Sequence, residues 1–315
     1  MLRSLGLFLL SLVLAPVANA QAGGDADRLI AMGDSLLAAA RPQKALDQYE
    51  GAIRLRPDAS SYSARARAWF QLDRMDRFLL DADKALSLDS LHAEANYQRA
   101  LYAHRGGDDR TAERLLTRGL PQATGSLRGR MLVLRGEAHG ELKQYGPAIE
   151  DLREGLAGRS DDLEGMRTLA RLYDATGRYE EALTVLETLC TLEPDEIGHW
   201  TNRGYELIAL ERYADALALI DRALALDKDE PVALSNRAYC LLKLDRDEEA
   251  MDEVDRSLRY YPANAFALRT RALLYLRKGQ RDKACADLSL AHILGEVPDV
   301  DRLLQEHCGG SPSPR

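Results

Sequence analysis

From residue 26 onward apolar residues recur at three- and four-residue steps, the spacing that lays one face of an α-helix against a core. The stretch 197–230, IGHWTNRGYELIALERYADALALIDRALALDKDE, shows the pattern in full. Moving in 34-residue steps from Ala216 meets Ala148, Ala182, Ala250 and Ala284. Further back come Ala112, Phe78 and Ala45, at intervals of 36, 34 and 33 residues. The period divides the chain into eight units: 26–58, 59–92, 93–128, 129–162, 163–196, 197–230, 231–264 and 265–298. A repeat of this length marks a stack of like units rather than separate globular domains.

With the alanine as position 20, position 8 is small in every unit: Gly33, Ala66, Ala100, Gly136, Ala170, Gly204, Ala238 and Ala272. Position 27 is small in all but one, where Leu189 stands. Small residues at 8, 20 and 27 suit two antiparallel helices that cross closely. Larger residues at 4 and 24, such as Trp200 with Ile220 and Leu268 with Leu288, fill the space between units.

The pattern resembles the tetratricopeptide repeat: Trp200, Gly204, Ala216, Ile220 and Ala223 match its positions 4, 8, 20, 24 and 27, and Pro57, Pro194 and Pro262 its position 32. The resemblance spans 26–298 and implies an all-α fold. Each unit would be a helix-turn-helix, stacked into a right-handed α-α superhelix, or solenoid, with a concave groove. Such units bury their apolar faces only against neighbours.

Three departures carry information. In the second unit Phe78 at position 20 faces Ala82 at 24, a large-for-small exchange that keeps total volume. The join 121–129, PQATGSLRG, is two residues longer than its equivalents and is expected to bend the array into three units and five. Position 7, apolar in the family, is arginine six times: Arg65, Arg99, Arg135, Arg203, Arg237 and Arg271. In four of these units an acid follows sixteen residues later (Asp81, Asp151, Glu253, Asp287), which predicts arginine–carboxylate bridges between paired helices.

The two ends differ from the repeats. Residues 1–20 read MLRSLGLFLLSLVLAPVANA: Arg3, an apolar run over Leu5–Leu14, Pro16, then Ala18-Asn19-Ala20. This is the pattern of a secretory signal cleaved after Ala20. The run is short of the ~20 residues a membrane-spanning helix needs. The expectation is an exported chain, periplasmic or secreted, with a short lead over 21–25 and no stable membrane insertion once cleaved. At the other end, 299–308 (DVDRLLQEHC) is an amphipathic capping helix, and 309–315 is a loose tail. Three fates stand open for Cys285 and Cys308: a disulfide stapling the cap, free thiols, or a metal site with His292 and His307. Cys190 and Cys240 read as small core residues.

Composition sharpens this. Only 15 residues are Val or Ile, too few for a sheet protein. The net charge is −8, or −9 without residues 1–20, whose one charge is Arg3, and this argues against a nucleic-acid binder or a coat for anionic membranes. The six histidines are scattered, and HExxH, GxSxG, Walker and GxGxxG motifs are absent from the sequence. No enzyme, cofactor or metal is expected.

In the family, positions 2, 5, 6, 9, 12 and 13 of each first helix line the groove. Units six to eight place Thr201, Asn202, Tyr205, Ile208, Ser235, Asn236, Tyr239, Leu242, Phe266, Arg269, Thr270 and Leu273 there. Asn202 and Asn236 at position 6 offer paired donors and acceptors, and Tyr205 and Tyr239 at position 9 offer rigid contact area with a polar tip. The tract departs from family members that clamp chaperone tails with several Lys and Arg, since only Arg269 and Lys243 are present. Arg167 and Arg171 form a separate candidate patch for an acidic group. The expected function is a non-enzymatic scaffold binding a protein or extended peptide in the groove. The alternatives are an envelope-assembly component using its convex face and ends, or an accessory chaperone for exported polypeptides.

Overall fold

The computed structural model describes residues 24–309 apart from 160 and 296. The expected signal, most of the lead and most of the tail therefore lie outside the described residues. Helix begins by residue 24, so the part of the lead that is described is already helical. The described residues form α-helices, one 3-10 turn and no strand. None of these helices is long and apolar enough to cross a membrane.

The chain divides into two compact units, at residues 161 and 162. The first holds α1 (24–38), α2 (Pro42–Leu55), α3 (Ala59–Gln71), α4 (Met75–Leu88), α5 (Ala93–Arg105), α6 (Asp109–Gly119), the 3-10 turn Leu120–Gln122, α7 (Gly125–Glu141) and α8 (Tyr145–Leu156). The second holds α9 (Leu163–Ala175), α10 (Tyr179–Leu192), α11 (Ile197–Ala209), α12 (Tyr213–Leu226), α13 (Pro231–Lys243), α14 (Asp247–Tyr260), α15 (Ala265–Arg277), α16 (Arg281–Leu294) and α17 (Val300–Cys308). The division does not fall at the long 121–129 join. Leu120 and Ala123 are buried there, in a core shared by Leu116 of α6 and Met131, Leu132 and Leu134 of α7. The join is packed rather than open, and the two compact units do not part there.

Each odd-numbered helix through α15 reverses into its partner by the same turn. Position 15 of every repeat takes a positive φ: Ala40, Asp73, Gly107, Lys143, Gly177, Glu211, Asp245 and Gly279. The next residue donates its N–H to the carbonyl five residues back, as in Arg212 to Leu207 at 2.8 Å and Gln280 to Tyr275 at 2.8 Å. This closes the helix C-terminus and satisfies carbonyls that would otherwise be orphaned. Close crossing then needs small residues. A Cβ on Gly155 would come within 2.8 Å of the Val133 nitrogen and 2.9 Å of the Gly129 carbonyl oxygen, both backbone atoms that cannot move aside. Phe78 and Ala82 are both buried, so the exchanged pair fills one site, with Phe78 tilted against Phe70 at 5.3 Å.

The arginines at position 7 tie helices together. Arg65 donates Nε to Asp81 at 2.7 Å and Nη2 at 2.8 Å, Arg135 grips Asp151 at 2.6 and 2.7 Å, and Arg271 grips Asp287 at 2.7 and 2.9 Å. Arg237 divides itself, reaching Glu253 at 2.7 Å and Asp221 at 2.9 Å. The two arginines lacking a downstream acid point the other way: Arg99 meets Asp83 at 2.7 Å and Arg203 meets Glu187 at 2.9 Å. These partners lie sixteen residues upstream, on the second helix of the preceding repeat. The guanidinium thus sits where two second helices come within reach, and either supplies the carboxylate.

Candidate functional site

In the second unit, α11, α13 and α15 present side chains to a cavity of about 280 Å³. Tyr205, Asn236, Tyr239, Phe266 and Arg269 all line it, together with Ile208, Ser235 and Thr270. Asn202, one repeat before Asn236, is exposed and outside its lining. Leu242 is buried in the core with Ala238, Leu241 and Val254 rather than facing the cavity, and Leu273 packs against the same core.

The aromatic rings are held edge to face: Tyr205 on Phe266 at 6.3 Å, and Tyr213 on Tyr239 at 6.2 Å. Cations lie over them. The Arg269 guanidinium is 4.2 Å from the Tyr239 centroid and 5.7 Å from that of Phe266. Lys243 Nζ is 5.4 Å from Tyr239 and 5.8 Å from Tyr213. Arg269 is only 6% exposed, and among the described residues no carboxylate lies within ion-pair distance of it. Its Nε has no hydrogen-bond partner, and Nη1 reaches the Pro298 carbonyl oxygen at 3.5 Å. Burial pulls its pKa below the ordinary arginine value. A buried donor without a partner carries a desolvation cost that a bound acceptor would remove. Ser235, also lining the cavity, leaves its buried Oγ unpartnered.

Sequence reasoning missed several walls. Tyr179 and Tyr213 open the second helices α10 and α12, Glu211 sits in the turn before α12, and Pro298 and Asp299 lead into α17. The two tyrosines share position 17 of consecutive repeats with Tyr145, a repetition legible in the sequence once second-helix positions are searched. Beside Tyr205, the carboxyl of Glu206 is buried with Oε2 unpartnered. Burial, reinforced by Asp174, pushes its pKa up to about 8. Burial also raises that of Asp174.

The other predicted residues fall elsewhere. Arg167 is already engaged, by Glu193 at 2.5 Å and Glu164 at 3.2 Å, and His199 shares the Glu193 carboxylate at 2.8 Å. In the Arg167–Arg171 patch, Arg167 spends its charge on two carboxylates of its own repeat, and Arg171, though exposed, is also engaged. Cys285 and Cys308 form a disulfide with Cα atoms 5.6 Å apart. This consumes two of the four ligands of the alternative metal site, and among the described residues no group of three or more candidate ligands clusters. Cys190 and Cys240 are buried, and burial pushes the Cys240 thiol up to about 12.

A second cavity, of about 440 Å³, lies in the first unit, where the sequence suggested no site. Its lining includes Asp34, Arg67, Phe70, Phe78, Glu94, Tyr97, Gln98 and Arg130.

Family models for the tetratricopeptide repeat match residues 30–90, 141–200 and 207–274, more than half of the chain. No curated protein sequence matches it. Among solved structures the chain is similar to YrrB, described as a TPR protein with an unusual peptide-binding site, at 23% identity and TM-score 0.53, covering 59% of this chain and 95% of that one. It also resembles a tetratricopeptide repeat protein from Parabacteroides merdae (13% identity, TM-score 0.48, 91% of this chain and 100% of that one). A third is a thermophilic TPR protein of Thermus thermophilus (19% identity, TM-score 0.48, 58% and 100%). At these identities the likeness concerns the fold.

Proposed function

The chain belongs to the tetratricopeptide repeat family, whose general role is that of a protein–protein interaction scaffold, and we propose that it holds an extended segment of another protein in the cavity between α11, α13 and α15. One observation carries this reading. Residues that the repeat register assigns to a groove, on three successive first helices, converge on one cavity that keeps two buried polar atoms unpartnered. Its charged lining is balanced, Lys243 and Arg269 against Glu211 and Asp299. That balance disfavours a strongly acidic tail. It suits a neutral stretch that lays one apolar or aromatic side chain among the tyrosines, as at aromatic-rich binding hot spots. Backbone amides of the same stretch would reach Ser235 and Arg269.

We place this activity in the cell envelope or outside the cell, on the strength of residues 1–20, with the scaffold acting without catalysis. A second reading, assembly through the end of the array, is favoured by the exposed Leu290, Ile293 and Leu294 of α16, Ile293 being 77% exposed. Affinity capture from an envelope extract separates the two. A dominant partner lost on the double change Tyr205→Ala and Tyr239→Ala, with helical circular dichroism intact, supports the cavity. Retention of that partner by the double variant refutes it, and loss on Ile293→Asp instead supports the end.

A further inference from the structure

The cavity is not built from repeats alone. Pro298 and Asp299 form part of its wall, and both belong to the lead into the terminal helix α17. The Pro298 carbonyl is also the one acceptor within hydrogen-bond distance of Arg269 among the described residues. The position of the cavity's buried cation therefore depends on where the cap places two residues.

What places them is the docking of α17 on α15 and α16. Val300, Leu303 and Leu304 are buried against Leu268, Ala272, Leu288 and Ala291. His292 Nδ1 lies 2.7 Å from Asp301 Oδ1, and Arg281 Nε bonds the His307 carbonyl oxygen. The covalent tie is Cys285–Cys308, which joins the body of α16 to the last residue of α17. Nine residues are too few for a helix to persist unaided in water, where about 12–15 are needed, so α17 holds its place by docking and by this tie. Both cysteines are half-buried, within reach of a thiol reagent, unlike the buried Cys190 and Cys240.

We propose that the cap is a working part of the binding site: Pro298 and Asp299 are positioning residues for Arg269 and a wall for the ligand, and the site is complete only while Cys285 and Cys308 are joined. The inference rests on the cavity being the binding site. Occupancy then follows the oxidation state of this one pair. A dithiol reductant delivers two electrons and two protons to the S–S bond, leaving two cysteine thiols and its own disulfide. The released cap spends part of its time away from α16, the wall opens, and Arg269 loses its carbonyl. Affinity falls in proportion to the fraction of time the site is assembled.

The test uses the chain from residue 21 to its end and a phage-displayed library of random linear peptides as the probe. Peptides selected on the oxidised chain, and shown to lose binding on Tyr239→Ala, are titrated against the wild type before and after dithiothreitol, and against the double variant Cys285→Ser, Cys308→Ser. Circular dichroism of each form controls for unfolding. If the closed cap drops to about a tenth of the population, Kd rises about tenfold in the reduced and double-serine forms. Pro298→Gly, which keeps the disulfide but loosens the wall, weakens binding in the oxidised chain. A Kd within twofold of the oxidised value in both the reduced and the double-serine chain overturns the cap's role while leaving the cavity as the binding site. Selected peptides indifferent to Tyr239→Ala overturn the cavity reading itself, and the inference with it.

Discussion

The two cavities share the groove positions of their first helices and differ in how their charges are settled. In the first unit each cation has its anion: Arg67 bonds Asp34, which also accepts from Tyr49 Oη at 2.6 Å, and Arg130 meets Glu94 at 3.5 Å while lying 4.9 Å over Tyr97. In the second unit Arg269 is buried on a tyrosine face with a single weak backbone contact. The larger cavity thus pairs its cations with carboxylates, although Arg130 Nε and Gln98 Oε1 stay without hydrogen-bond partners there too, and the smaller one holds a buried cation with no carboxylate within ion-pair distance among the described residues. Volume alone would favour the first; chemistry favours the second. A repeat fold gives every unit a similar surface, and the two cavities part where one buried guanidinium is left without a counter-ion.

The largest effect expected concerns Glu206, for which the first cavity has no counterpart. An ordinary glutamate has pKa 4.5, and burial raises this one to about 8, so between those values the folded chain holds a proton that the unfolded chain has lost. Stability therefore decreases as pH rises through this window, by about 3 kcal/mol between pH 4.5 and 7. Denaturant melts at several pH values should show that slope in the wild type and a flatter one in Glu206→Gln.

Next come the arginine bridges, which both units share and which therefore serve as a control. Asp81→Ala in the first unit leaves the half-buried Arg65 guanidinium and the Trp69 indole N–H without that carboxylate, and Asp287→Ala in the second leaves Arg271 only the more distant Asp255 at 3.6 Å. Each should cost about 2–3 kcal/mol in urea unfolding, at or below the lower end of the range for fully buried pairs. A large difference between the two would mean that the units differ in more than their cavities.

The smallest effect is the most discriminating. Arg269→Met keeps the bulk and removes a buried charge that no carboxylate balances, so it should be neutral or stabilising by about 1–2 kcal/mol. Arg67→Met removes a paired, partly exposed charge and should be neutral or destabilising by up to about 1 kcal/mol. Equal destabilisation by the two would erase the contrast between the cavities.

Much of this was legible in the chain. The period locates the helix pairs, because close crossing leaves small residues at fixed positions, and the sixteen-residue spacing identifies Arg65–Asp81, Arg135–Asp151 and Arg271–Asp287. The partners of Arg99 and Arg203 were hidden because they belong to the preceding repeat, where a search within one unit does not look. Arg167 looked available because its partner Glu193 is twenty-six residues away, just past the end of α10, and reaches it through the packing of α10 against α9. Of the groove positions, Tyr205, Asn236, Tyr239, Phe266 and Arg269 line the cavity, whereas Asn202 lies outside it and the buried turn of α13 at Leu242 serves the core. The contribution of Pro298 and Asp299 lay outside the repeat register, and a periodic reading has no term for it.

The central claim is that the second-unit cavity holds the partner segment. Hydrogen exchange of the oxidised chain, with and without a saturating library-selected peptide, tests it most directly. The account predicts added protection in segments containing Tyr205, Tyr213, Tyr239 and Arg269, with the first unit unchanged. Protection confined to the segments around Arg67, Tyr97 and Arg130 would contradict it.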